Sequence, residues 1–163
     1  NRAMEYPENL DVGKPLNDER NAMIWYFLAR ICDRSGKKKA GLQNYNSCIT
    51  ARNSRDWADL LFYQGVACQK TGDSIKAGEL FESLASKGKE LTESSVKVSG
   101  IGINEGASVA QKKSVSEGYY LQGLALLGMG KKAEAQEFFI RALSIFRNHL
   151  LAKYFLDNDV LSL

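Results

Sequence analysis

Proline is nearly missing from this chain. Only Pro7 and Pro15 occur, and everything after Leu16 is free of it. Proline removes a backbone donor and clashes with the preceding helical turn, so its absence leaves almost the whole chain open to long helices. Histidine is scarcer still, with His149 alone. The three cysteines, Cys32, Cys48 and Cys68, are an odd set. Their spacings of 16 and 20 match no zinc motif and argue against a disulfide framework. No run of about 18 apolar residues exists, so no membrane-spanning helix is expected. Charge of one sign is lacking too: the net charge is +3, with Lys and Arg scattered among Asp and Glu. The one basic cluster, Lys37-Lys38-Lys39, reads as a solvated turn opening a helix, so nucleic acid is not an expected partner.

What is present has the composition of a folded domain. Hydrophobic residues make up 44% and charged residues 25%, globular values at a length that suits one domain or a short repeat array. No signal-peptide pattern is visible. The chain begins at Asn1 rather than Met, which suggests a fragment or a processed product. The compartment is not legible.

One pattern occurs three times. It begins with Trp25-Tyr26-Phe27-Leu28-Ala29, Leu61-Phe62-Tyr63-Gln64-Gly65 and Tyr119-Tyr120-Leu121-Gln122-Gly123. Seven residues after each small residue stands a glycine: Gly36, Gly72, Gly130. A small residue follows (Gly41, Ala77, Ala135), then a ring four later (Tyr45, Phe81, Phe139), then Cys48, Leu84 or Ala142. Self-similarity at this length signals stacked helical hairpins.

The pattern places the elements. Residues 1–18 read as an irregular lead-in, with Asn17 as a cap for the first helix. Hairpins are expected at about 19–52, 55–88 and 114–147. The first carries a stripe of Met23, Ile24, Phe27, Leu28, Ile31 and Cys32, then Ala40, Gly41, Tyr45 and Cys48. The second starts at Ser54 or Asp56, turns at Gly72 with Asp73 as a cap, and ends at Gly88. A short amphipathic helix over 150–161 would cover the last exposed face. All three cysteines fall on inward positions, as small buried hydrophobes do.

Ala29 and Gly65 are 36 residues apart, but Gly65 and Gly123 are 58 apart. About 24 residues are therefore inserted, roughly Leu91 to Lys113, given the ~34-residue period of such a hairpin. The stretch from Val96 to Gly106 alternates Val, Ile and Gly and reads as an extended loop. Residues 107–113 are expected to lengthen the following helix backwards. Val98, Ile101 and Ile103 suggest that the loop packs on something, and inserts of this kind often serve binding.

Sequence signals for catalysis are weak. His149 has no Cys or carboxylate at ligand spacing, so a capping or surface role is expected rather than a metal or general base. Gly100-Ile101-Gly102 is followed by no Gly-Lys-Ser/Thr and lacks a dinucleotide fingerprint. No Gly-x-Ser-x-Gly occurs. Asp56 and Asp59 share a helix as solvated charges do. No cofactor, no metal and no enzyme activity are expected.

Gln122-Gly123, Gly130, Ala135, Phe139 and Ala142, with Gly65, Gly72, Ala77 and Phe81, resemble the tetratricopeptide repeat. Gly41 and Cys48 depart from its usual alanines, and Arg147 stands where proline is common. The resemblance covers about residues 20–163. It implies an all-α fold: a right-handed α-α superhelix of three hairpins plus a C-terminal capping helix. It also implies a protein–protein or domain–domain interaction module, short enough to pair with itself as a homodimer. Tyr6-Pro7-Glu8-Asn9-Leu10, Asp59 to Gly65 and the long loop resemble, more narrowly, the C-terminal repeats of large multidomain bacterial proteins of poorly defined function. Those proteins carry carbohydrate-enzyme-like N-terminal regions. A structural module packed on such a domain, or an accessory to a carbohydrate site using Trp25 or Trp57, are the alternatives this implies.

In such arrays the first helices line a concave groove. The lining expected here is Tyr26, Arg30, Asp33 and Arg34, then Phe62, Tyr63, Val66, Gln69 and Lys70, then Glu117, Tyr120, Leu121, Leu124 and Leu127. Rings and Arg are common interface anchors, and a peptide acidic at one end and apolar at the other would fit. The family's clamp for chaperone C-termini uses Lys and Asn at set sites. Here Tyr26, Arg30, Tyr63, Glu117 and Leu121 hold those places, so that ligand is not expected.

Overall fold

The computed structural model describes residues 21–52, 58–99 and 108–158, apart from the side chains of 95–99. Among the described residues there are seven helices and no strand: α1 (Asn21–Arg34), α2 (Lys38–Thr50), α3 (Leu60–Thr71), α4 (Ser74–Ser99), α5 (Val109–Gly128), α6 (Lys132–Ile145) and α7 (Leu150–Asp157). The chain divides into two compact units at Gly78 and Glu79, and each is best understood by itself.

Three hairpin turns close in the same way. Gly36, Gly72 and Gly130 have φ of 70°, 90° and 81°, the left-handed region that glycine enters without steric cost. At each, the next residue's N–H reaches back five positions: Lys37 to Cys32, Asp73 to Cys68 and Lys131 to Leu126, all at 2.9 Å. These are Schellman closures, which satisfy carbonyls that a helix end leaves without partners. The expected cap at Asp73 is present, since its Oδ1 accepts the Lys76 N–H at 3.0 Å. Lys37 and Lys131 stand at the same place in the other two hairpins and make no side-chain cap.

In the first unit α1 buries Ala22, Tyr26 and Ala29 against Gly41, Tyr45 and Cys48 of α2. The Tyr45 hydroxyl donates to Asp33 Oδ2 at 2.8 Å, tying the hairpin across its turn. Helix α3 packs on both. Its residues Phe62 to Cys68 are all buried. Seven successive positions cover nearly two turns, so every side of α3 is enclosed. Its one polar member, Gln64, donates its amide to the carbonyls of Cys48, Ile49 and Ala51 at 3.1, 3.2 and 2.8 Å. The frayed C-terminal end of α2 is thereby satisfied by the next helix.

In the second unit α4 meets α5 where Gly88 faces Gly118. A Cβ on Gly88 would stand 2.6 Å from the Gly118 carbonyl oxygen, and one on Gly118 would stand 2.6 Å from that of Gly88. This corrects the expected helix end at Gly88. The glycine lets two backbones touch in mid-helix, and α4 continues to Ser99. The start of the expected loop is corrected with it: 91–99 are helical, 109–113 lengthen the following helix as expected, and 100–107 lie outside the described residues. Helix α5 begins at Val109, within the expected backward extension of the third hairpin. Ser108 Oγ accepts the Gln111 N–H at 3.2 Å, and Gln111 Oε1 accepts the Ser108 N–H at 2.8 Å. That reciprocal capping box fixes the start. Helices α5 and α6 form the third hairpin, with the Phe139 ring against Gly123 and the buried Ser116 hydroxyl donating to the Ala142 carbonyl at 2.8 Å. Helix α7 lays Phe155 on Phe139 and Tyr120, with centroids 5.8 and 6.0 Å apart. It ends at Asp157, where Asn158 turns extended, short of the expected 161. The expected cap at Asn17, the starts at Ser54 or Asp56, and residues 159–161 lie outside the described residues.

Candidate functional site

The expected groove lining separates into two classes by burial. Tyr26, Phe62, Tyr63 and Val66 of the first unit, and Tyr120, Leu121 and Leu124 of the second, are at most 4% exposed. Their expected role as a solvent-facing lining is corrected: they are core side chains. The physical reason is enclosure. α3 and α5 are buried around their circumference, so residues beside the inward stripe are inside as well. In the first unit the Tyr26 ring stacks at a tilt on Tyr63, 5.3 Å away, and on Tyr45, 6.4 Å away. Leu127, also expected on the groove, is buried.

The surface-accessible remainder is polar. Arg34, Gln69 and Lys70 are exposed, as is Asp33, while Arg30 and Glu117 are partly buried. Arg34 and Lys70 close the last turns of α1 and α3, where cations complement the negative end of the helix dipole. Arg30 Nη1 donates to the Tyr26 hydroxyl at 3.3 Å. Burial pushes the Tyr26 phenol above its ordinary value, and Arg30 partly offsets this. Burial pushes Tyr45 up as well, reinforced by its bond to Asp33. Lys37, Lys38 and Lys39 border an open concavity of about 550 Å³ beside Gly36. The exposed cations of the first unit thus stand at helix ends, Arg34 and the three lysines about the α1–α2 turn and Lys70 at the end of α3, with Asp33 and Asp73 exposed at the same ends.

Two of the cysteines, Cys48 and Cys68, are buried thiols. Burial, with Cys68 nearby, pushes the Cys48 thiol up to about 12. Burial raises Cys68 too. Cys32 is partly buried and accepts from Asn44 Nδ2 at 3.5 Å; all three are free thiols. Among the described residues no group of three His, Cys, Asp or Glu is placed to hold a metal ion.

Two features were not anticipated. Glu117, expected on a groove, instead faces His149: His149 Nε2 lies 3.0 Å from Glu117 Oε2. The pair is 32 residues apart, close to one repeat period, with Glu117 on α5 and His149 capping α7; that spacing was the available signal. The expected capping role of His149 is present, with Nδ1 accepting the Ala152 N–H at 3.1 Å. The second feature is a cavity of about 190 Å³ floored by Leu127, Phe139 and Phe155 and rimmed by Lys132, Gln136 and Asp157. Trp25 is partly buried, and Trp57 lies outside the described residues.

Residues 116–149, from the buried Ser116 of α5 to the cap of α7, match the tetratricopeptide repeat family. None of the curated proteins compared with the chain matches it. One repeat unit with that match, and two further hairpins closed by the same turn, make the described residues an all-α, tetratricopeptide-like helical repeat fold. Among the described residues no helix is long and apolar enough to cross a membrane.

Proposed function

We propose that this chain is a protein-binding scaffold that recognises its partner through the exposed cations at the helix ends of its first unit. The observation that carries the reading is the match of residues 116–149 to the tetratricopeptide repeat, a unit that commonly mediates protein interactions. The exposed side chains Arg34, Lys37, Lys38, Lys39 and Lys70 favour an acidic peptide or an acidic domain surface. The reading takes the chain as a non-catalytic module, a fragment of a larger bacterial protein. A second reading has a specific observation behind it: most of the expected groove residues are buried, as suits a structural module packed permanently on a carbohydrate-processing domain of its own parent.

Fluorescence anisotropy with acidic, neutral and basic peptides separates the two. The scaffold reading expects binding to acidic peptides that weakens about tenfold in Arg34→Glu or Lys70→Glu and falls with salt. Helical circular dichroism stays unchanged in both variants. Absence of binding across the panel, or binding indifferent to both reversals, would leave the structural reading.

A further inference from the structure

The His149 ring has a role at each nitrogen. Nδ1 accepts the Ala152 N–H and caps α7, while Nε2 meets Glu117 of α5. Only the neutral imidazole with its hydrogen on Nε2 accepts at one nitrogen and donates at the other. The side chain is 9% exposed, and its ring lies 4.8 Å from that of Tyr120. Helix α7, which this histidine starts, covers Tyr120 and Phe139 with Phe155.

We propose that His149 makes the docking of α7 pH-sensitive, so that protonating the ring loosens α7 and uncovers the apolar end of the second unit. A proton on Nδ1 converts the cap's acceptor into a donor facing the Ala152 N–H, and the cap is lost. The new cation sits at a helix N-terminus, the positive end of the dipole, in a site that hydrates it poorly. Glu117 opposes these effects through a charge-assisted bond. Its carboxylate is 44% exposed, however, and solvent weakens such pairs. Among the described residues Glu117 is the carboxylate that pairs with the ring; the further carboxylates on α6 and α7 are Glu134, Glu137 and Asp157. Helix α5 contributes the Tyr120 ring and, one turn before Glu117, Lys113, which lies over the Phe146 ring. The segment from α6 contributes Arg147, and α7 contributes Lys153, whose N–H donates to the His149 carbonyl.

Hydrogen exchange of the full chain at about pH 8 and about pH 5 tests it, with each amide normalised to its intrinsic rate at that pH. Protection over 152–157 is expected to fall about fivefold at the lower pH, the loss of one N-cap, while the α1–α2 hairpin holds. His149→Asn keeps a capping oxygen that does not titrate and should flatten the response. Glu117→Gln keeps an acceptor without the charge and should deepen it. Unchanged or increased α7 protection in acid overturns the proposal, as does a fall that persists in His149→Asn. Should His149→Asn fail to fold, a response in Glu117→Gln no larger than in the unaltered chain overturns it equally.

Discussion

Gly88 and Gly118 touch backbone to backbone, the carbonyl oxygen of each occupying the space that a Cβ on the other would need. Alanine at either position has no room. Gly88→Ala and Gly118→Ala should each destabilise the chain by about 1–3 kcal/mol, the range for overpacked sites. Gly78 sits in the same helix as Gly88, and a Cβ there would meet nothing within 4 Å. At that position alanine gains helix propensity, and Gly78→Ala should stabilise by about 0.5–1 kcal/mol. Urea unfolding reads both; equal signs at Gly78 and Gly88 would contradict the crossing.

Gln64 is the second test of packing. Its amide meets three carbonyls at the end of α2 from inside the core. Gln64→Leu keeps the volume and removes the donors, leaving buried carbonyls unmet. A loss of about 1–3 kcal/mol is expected in thermal or urea unfolding. A neutral outcome would mean that water already serves those carbonyls.

The turn glycines offer a purely conformational test. A Cβ at Gly72 would meet nothing within 4 Å, so its left-handed φ of 90° is the only obstacle to a side chain. Gly72→Ala should cost about 1 kcal/mol, and Gly72→Asn less, because Asn tolerates this region better. Identical losses for the two variants in chemical unfolding would point away from backbone strain.

Cys48 gives a pH dependence with a definite sign. Its folded thiol is held up to about 12 against an ordinary value of 9.0. Above pH 9.0 the unfolded thiol ionises while the folded one keeps its proton. This contribution to stability is therefore complete below pH 9.0 and declines as the pH rises toward about 12. Denaturation midpoints across that window should fall less steeply in Cys48→Ala. In thiol labelling near neutral pH, Cys32 should react well before Cys48 and Cys68.

Much of this fold is legible in the residues. The glycines at 36, 72 and 130 announce the turns, because a left-handed helix exit admits little else. The small–ring–small series of the second helices announces the hairpin cores: Gly41, Tyr45 and Cys48 are buried as expected, as are Ala135, Phe139 and Ala142. Gly88 misleads because a glycine in a helix has two meanings, a stop or a close approach, and only the partner at Gly118 decides between them. Val96 and Val98 mislead because the helical penalty of β-branched residues is a few tenths of a kcal/mol each, too small to end a helix before Ser99. Ser108 and Gln111 carried a visible capping signature for the true start of α5. The groove reading failed at Tyr26, Phe62, Tyr63 and Tyr120 for a different reason. Periodicity locates one buried stripe, but it does not report how many sides of a helix the neighbours enclose.

The three identical turns also bear on how the chain reaches its native state. Each is closed by a bond spanning five residues, and those at Gly36 and Gly130 bring together α1 with α2 and α5 with α6. Little loop entropy opposes that first step, so those two hairpins are local nuclei within their own units and topology imposes no slow search on either. In such a molecule a synthesis pause or a nick between hairpins leaves the finished ones intact, and assembly resumes from whichever end is already formed.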